Sequence, residues 1–147
     1  MTNEELFNLK NVNLFHPEGI EFVSTILFGL GFEYENLNTD YARKEGLRYI
    51  NKLLELDLIE IFHWGKFQNK LENKELSKEQ TFEYICKSWH PGANVPDFYD
   101  MPMFKYKNWY VKSLNNIGLT STTNWNTFVT NKVGDIEEWI ASIRPKS

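Results

Sequence analysis

Leu47, Ile50, Leu54 and Leu58 recur at the spacing of one helical face, with Leu53 beside them. The β-forming run Leu58-Ile59-Glu60-Ile61-Phe62-His63-Trp64 follows with no glycine or proline between. A helix must therefore end near Leu56 and a strand must start almost at once, until Gly65 breaks it. A chain that passes from helix to strand in this way belongs to the α+β class or is mainly α with a small sheet.

The flanking pattern agrees. Pro17 suits a first helical turn, and Ile20, Val23, Ile26, Leu27 and Leu30 follow at helical spacing. Gly31 fits the left-handed position just past the end, so a helix is predicted over about 18–30. Glu33-Tyr34-Glu35 reads as a link or an edge strand, and Thr39 or Asp40 can cap the next helix. Ser77 with Gln80 forms a capping box ahead of Phe82, Ile85, Cys86 and Trp89. Pro91, Pro96 and Pro102 make 90–104 read as a long loop of the kind that carries function. Tyr106, Trp109, Tyr110, Leu114 and Ile117, closed by Gly118, fit a helix, although a strand through 108–112 also fits. Asn124 to Thr130 reads as a strand, and Asp135 can cap a last helix with Ile136, Trp139, Ile140 and Ile143 inward. The expected architecture is a mainly helical α+β fold with a small antiparallel sheet, one domain over residues 1–147.

Chemistry finds little footing. One cysteine, Cys86, allows no internal disulfide and no cysteine cage for zinc, and it falls in an apolar helical stripe where a thiol is inert. His16, His63 and His90 lack the spacing of a helical metal site. Gly29-Leu30-Gly31 sits at a helix C-terminus, the wrong end for cradling an anion. The run Thr120-Ser121-Thr122-Thr123 has no activating base in its pattern and reads as a turn. The carboxylates gather as Glu33, Glu35 and Asp40, as Glu55, Asp57 and Glu60, and as Asp97 with Asp100. Such clusters ordinarily solvate a surface. The expectation is a protein without catalytic residues, metal or cofactor.

Charge speaks to partners. The net charge is −4, and arginine occurs only as Arg43, Arg48 and Arg144, which disfavours nucleic acid and suits a basic partner. The acidic Met1-Thr2-Asn3-Glu4-Glu5 start and the lack of a long apolar run predict a cytoplasmic protein without membrane association. Aromatic residues make up 16% of the chain, which reads first as a core built from rings and second as a source of candidates for an interface. Two segments pair rings with acids: the corner from Glu55 to Trp64, and Pro96-Asp97-Phe98-Tyr99-Asp100, where proline stiffens the loop.

Gly46-Leu47-Arg48-Tyr49-Ile50-Asn51-Lys52-Leu53-Leu54 leads into Leu58-Ile59, and a polar loop with Phe67, a helix ending at Trp89, a turn at Pro96-Asp97 and Trp109-Tyr110 follow in order. In these motifs, from about Arg43 to Gly118, the chain resembles small bacterial immunity proteins that neutralise polymorphic or contact-dependent toxins. It implies a cytosolic inhibitor that masks the active site of a cognate toxin domain, often a basic nuclease. On this reading Glu55, Asp57, Glu60, Asp97 and Asp100 steer and pair with toxin lysines or arginines, and Trp64 and Tyr99 anchor the contact. The alternative is a winged-helix DNA-binding regulator. It would present Arg43, Lys44, Arg48 and Lys52 on one candidate recognition helix and Lys105, Lys107 and Lys112 on another, each followed by a strand.

Overall fold

The computed structural model describes residues 12–17, 20–63 and 75–145. The junction between helix and strand is its organising corner. Helix α2 (Asp40–Glu55) opens where Thr39 Oγ1 accepts the Ala42 N–H and closes in a turn with Asp57 at φ 60°. Leu58 N–H bonds Leu53 O and Asp57 N–H bonds Leu54 O, both at 3.0 Å, so the last helical carbonyls are satisfied as the chain reverses. Strand β1 (Ile59–Phe62) leaves this corner and pairs antiparallel with β2 (Met103–Tyr106), Ile59 opposite Tyr106 and Phe62 opposite Met103.

The remaining helices surround this unit: α1 (Val23–Gly29), α3 (Lys78–Ser88), α4 (Val95–Phe98), α5 (Asn108–Asn116), α6 (Trp125–Phe128) and α7 (Ile136–Ile143). The fold is α+β, mainly helical, with a two-stranded antiparallel sheet. Helix α3 carries the expected box, Ser77 Oγ accepting from Gln80 N–H and Gln80 Oε1 from Ser77 N–H. Its C-terminus is held by Arg43, which donates from Nε to Trp89 O (2.7 Å) and from Nη2 to Cys86 O (3.1 Å). A guanidinium there meets the negative end of the helix dipole. Gly46 lets α2 and α3 approach: a Cβ built on it would lie 2.6 Å from the Trp89 ring and 3.0 Å from Leu27.

Three buried tyrosines join the sheet to the N-terminal 3₁₀ turn Val12–Phe15. The Tyr106 hydroxyl donates to Leu14 O, and the Tyr110 hydroxyl donates to Phe15 O at 2.6 Å. Tyr49 lies beside Tyr106, and its hydroxyl has no hydrogen-bond partner of good geometry among the described residues. Burial pushes all three phenols well above their ordinary ionisation range.

Four expectations need correction. The first helix starts at Val23, not near residue 18, because Phe22 stands in extended conformation as its N-cap. Glu33-Tyr34-Glu35 is not an edge strand, since Tyr34–Asn36 winds into a 3₁₀ turn. The loop predicted over 90–104 contains α4, where Asn94 N–H donates to Asp97, and the start of β2. The strand predicted at 124–130 is helical: Asn124 Oδ1 accepts the Thr127 N–H, and Trp125, Phe128 and Val129 meet the core at helical spacing before a wide turn over Val129–Val133. The strand predicted from Leu58 is present as β1, whereas Trp64 and the polar stretch after it lie outside the described residues.

Gly46→Ala should lower stability by about 1–2 kcal/mol in urea unfolding, because overpacking against Trp89 outweighs the helix propensity gained. A rise in stability would contradict the close approach. Stability should also fall as pH climbs above about 10. There the unfolded chain releases phenol protons that the folded chain retains, at up to about 1.4 kcal/mol per pH unit for each group. Tyr110→Phe should flatten that decline when urea midpoints are compared between pH 8 and pH 11.

Candidate functional site

The acidic corner is tied to its own protein. Asp57 is an aspartate in left-handed conformation, which that residue type tolerates better than most. Its carboxylate accepts from Lys107 Nζ, and its carbonyl accepts from Trp109 Nε1 at 3.0 Å. Lys107 N–H in turn bonds Leu58 O at 2.7 Å, so the corner ahead of β1 is clasped to the corner after β2. Glu60 faces Lys105 at 3.5 Å across the strand pair. Glu55 accepts from Asn51 Nδ2 at 3.2 Å, with Lys52 at 4.0 Å. Each of these three expected steering groups therefore has a partner at home.

A cleft of about 250 Å³ opens beside the corner, with Asp57, Ile59, Glu60 and Ile61 on one side and Lys78 and Thr81 on the other. A second hollow, lined by Glu55, Glu79 and Phe82, shares Leu54 and Lys78 with it. The structure thus places Asp57 and Glu60 on the first hollow and Glu55 on the second, near the end of α2, β1 and the start of α3.

The other predicted segment stands apart. Asp97 Oδ2 accepts from Asn94 N–H at 2.9 Å, and Oδ1 lies 3.9 Å from His90 Nε2. Phe98 is buried, while Tyr99 stays 51% exposed and meets the Phe22 ring edge-on at 5.7 Å. Asp100 is exposed and makes no ion pair among the described residues. Asp57 lies at the Tyr106 end of the sheet and Asp100 precedes the Met103 end, so the four residues of β2, roughly 13 Å, stand between them.

A third surface was less legible. Past α1 the chain turns at Gly31, whose φ of 97° lets Phe32 N–H reach back to Leu27 O. The turn and the 3₁₀ segment after it leave Phe28 (48%), Tyr34 (60%) and Tyr41 (65%) as large exposed rings, with Phe32 edge-on to Tyr41 at 5.7 Å. Glu33, Glu35 and Asp40 alternate with them and are exposed. None of the three makes an ion pair with a described residue, in contrast to the corner acids. Lys44 is exposed on the first turns of α2, and Arg43 is committed to the end of α3. The acid trio was visible in the sequence; the exposure of its rings depends on the turn at Gly31.

The histidines are dispersed: His16 packs edge-on to Trp125 at 5.2 Å, His63 Nε2 bonds the Tyr84 hydroxyl at 2.8 Å, and His90 sits by Pro91. Among the described residues no group of three or more histidine, cysteine or carboxylate side chains is placed to hold a metal ion. Burial raises the ionisation range of the Cys86 thiol, against a smaller pull from the Arg43 guanidinium. No helix of the described residues is long and apolar enough to cross a membrane. Compared with known proteins, the chain matches no family model, no curated relative and no solved structure.

The clasp gives a direct test. A double-mutant cycle with Asp57→Asn and Lys107→Met should return a coupling of about 1 kcal/mol, as expected of a half-buried pair. A coupling indistinguishable from zero would free Asp57 to serve a partner.

Proposed function

We propose that the chain is a cytoplasmic protein-binding inhibitor of the immunity type, which covers a cognate toxin domain and blocks substrate entry. The observation that supports this reading is the exposed set Phe28, Tyr34 and Tyr41, interleaved with Glu33, Glu35 and Asp40, whose charges have no ion-pair partner among the described residues. Rings supply anchor area at low entropy cost, and unneutralised acids attract a basic surface and reject an acidic one. A basic nuclease cleft is the partner that this chemistry fits, because a site evolved to hold phosphates presents lysine and arginine. Asp100 and Tyr99 extend the acidic-aromatic character to a second patch beside Phe22. Asp57 and Glu60 contribute to the field while remaining in their internal pairs. No catalytic step is assigned to the chain, and inhibition follows from occlusion alone.

The proposed function expects a toxin domain encoded next to this chain, to be purified and titrated by calorimetry and stopped flow; a gene neighbourhood without one would count against the reading. Alanine at Tyr34 or Tyr41 should each weaken binding by about 2 kcal/mol. Glu33→Gln with Glu35→Gln should mainly slow association and lessen its salt dependence. Affinity and rates unchanged across all these variants would contradict the reading.

A further inference from the structure

Helix α1 turns one side to the core and leaves the other toward solvent. Val23, Ile26 and Leu27 are buried, whereas Phe22, Thr25 and Phe28 follow at three-residue spacing along the opposite side and stay half-buried or exposed. Phe22 and Phe28 lie about 9 Å apart along the axis. At one end of this side the Phe22 ring meets Tyr99 edge-on at 5.7 Å, with Asp100 next in the chain. At the other end Phe32 N–H bonds Leu27 O at 3.0 Å, and the Phe32 ring meets Tyr41 edge-on at 5.7 Å. The two acidic-aromatic patches thus sit at opposite ends of one short helix, and Phe28 stands between them.

Charge along this series of rings is unbalanced. Glu21, Glu33, Glu35, Asp40 and Asp100 are exposed and make no ion pair with a described residue. Asp97 lies 3.9 Å from His90 Nε2. Lys44, one helical turn beyond Asp40, is the exposed cation on this stretch of α2. The remaining cations of α2 and β2 are engaged: Arg43 at the end of α3, Arg48 with Glu45 at 3.5 Å, Lys52 with Glu55 at 4.0 Å and Lys105 with Glu60 at 3.5 Å. Five unpaired acids therefore stand beside the rings against one lysine, so a partner that docks here is basic. Rings set among carboxylates suit arginine best. Its planar guanidinium stacks on a ring while bonding a carboxylate, whereas a lysine ammonium gains mainly from the charge.

We propose that the outer side of α1 joins the Tyr99 patch and the Tyr34–Tyr41 face into one docking surface for the arginine-bearing face of a basic protein. The inference rests on the reading of the chain as a binder of a basic protein and goes further, since it sets the extent of the contact and the side chain that the partner inserts. Arginines of the partner settle between rings and carboxylates at both ends of α1, and Phe28 supplies apolar area between them.

The probe is an octapeptide of alternating arginine and serine, blocked at both ends and titrated at low salt into the isotope-labelled full chain. Extended, it spans roughly 26 Å, enough to reach both ends of the surface. Nuclear magnetic resonance should show saturable shifts of the amide signals around Phe22 and Tyr99 and across 32–41, with one dissociation constant. Tyr99→Ala and Asp100→Asn should each weaken the affinity read at 32–41 by about threefold or more, because one ligand holds both ends. Tyr99 is 51% exposed and Asp100 makes no ion pair among the described residues, so both variants should keep the fold. A lysine–serine octapeptide should bind at least about threefold more weakly. No saturable binding, an affinity at 32–41 indifferent to both variants, or equal affinity for the lysine peptide would each overturn the proposal. Shifts confined to 32–41 would overturn the joined surface and leave the proposed function standing, which the toxin titration tests separately.

Discussion

The reversal at Asp57, where α2 runs into β1, is the constraint around which the rest of this structure is arranged. A helix that runs directly into a strand must reverse within one turn, and the reversal requires a left-handed residue at position 57. Asp57 meets that need while its carboxylate reaches Lys107 and its carbonyl reaches Trp109. The same contacts bring the end of β2 level with the start of β1, which fixes the register. A slip of one residue would turn every buried side chain of the pair to the other face. The clasp also keeps the charge of the corner within the molecule.

Around that corner, close packing and buried hydroxyls hold the layers together. Gly46 brings the Trp89 ring against α2, and Arg43 bonds the last carbonyls of α3, so the two helices are joined by both shape and charge. Tyr106 and Tyr110 bond the carbonyls of Leu14 and Phe15 and thereby seat the N-terminal turn on the sheet and α5. These bonds satisfy carbonyls that burial would otherwise leave without partners. Among the described residues Tyr49 is the exception, a buried hydroxyl beside Tyr106 without a hydrogen-bond partner of good geometry.

Local chemistry was legible where it acts within a few residues. Thr39, the Ser77–Gln80 box, Asp135 and Gly31 all cap or end helices as their residue types predict. The run from Leu58 forms its strand because β-branched and aromatic residues are dense there. Met103–Tyr106 was hidden because its partner lies more than forty positions away, and the neighbouring prolines suggested an irregular segment. At Asn124 the β-forming residues misled, since one side-chain cap at the start and three apolar contacts at helical spacing outweighed strand propensity. For the site, the sequence pointed to acids beside rings but could not tell which acids were already paired. That distinction is tertiary: Lys105 and Lys107 reach Glu60 and Asp57 only once β2 is in place.

The functional account thus turns on where negative charge remains available. Around the sheet it is balanced by lysines of the same molecule, whereas between Glu33 and Asp40 it stands beside exposed rings. A partner guided by charge and anchored by aromatic area would settle there first. Amide hydrogen exchange on the chain with and without the toxin domain that the proposed function calls for tests this most directly. The account predicts slowed exchange across residues 32–41 on binding. Slowed exchange confined to the helices between Asn108 and Ile143, with none at 32–41, would contradict it.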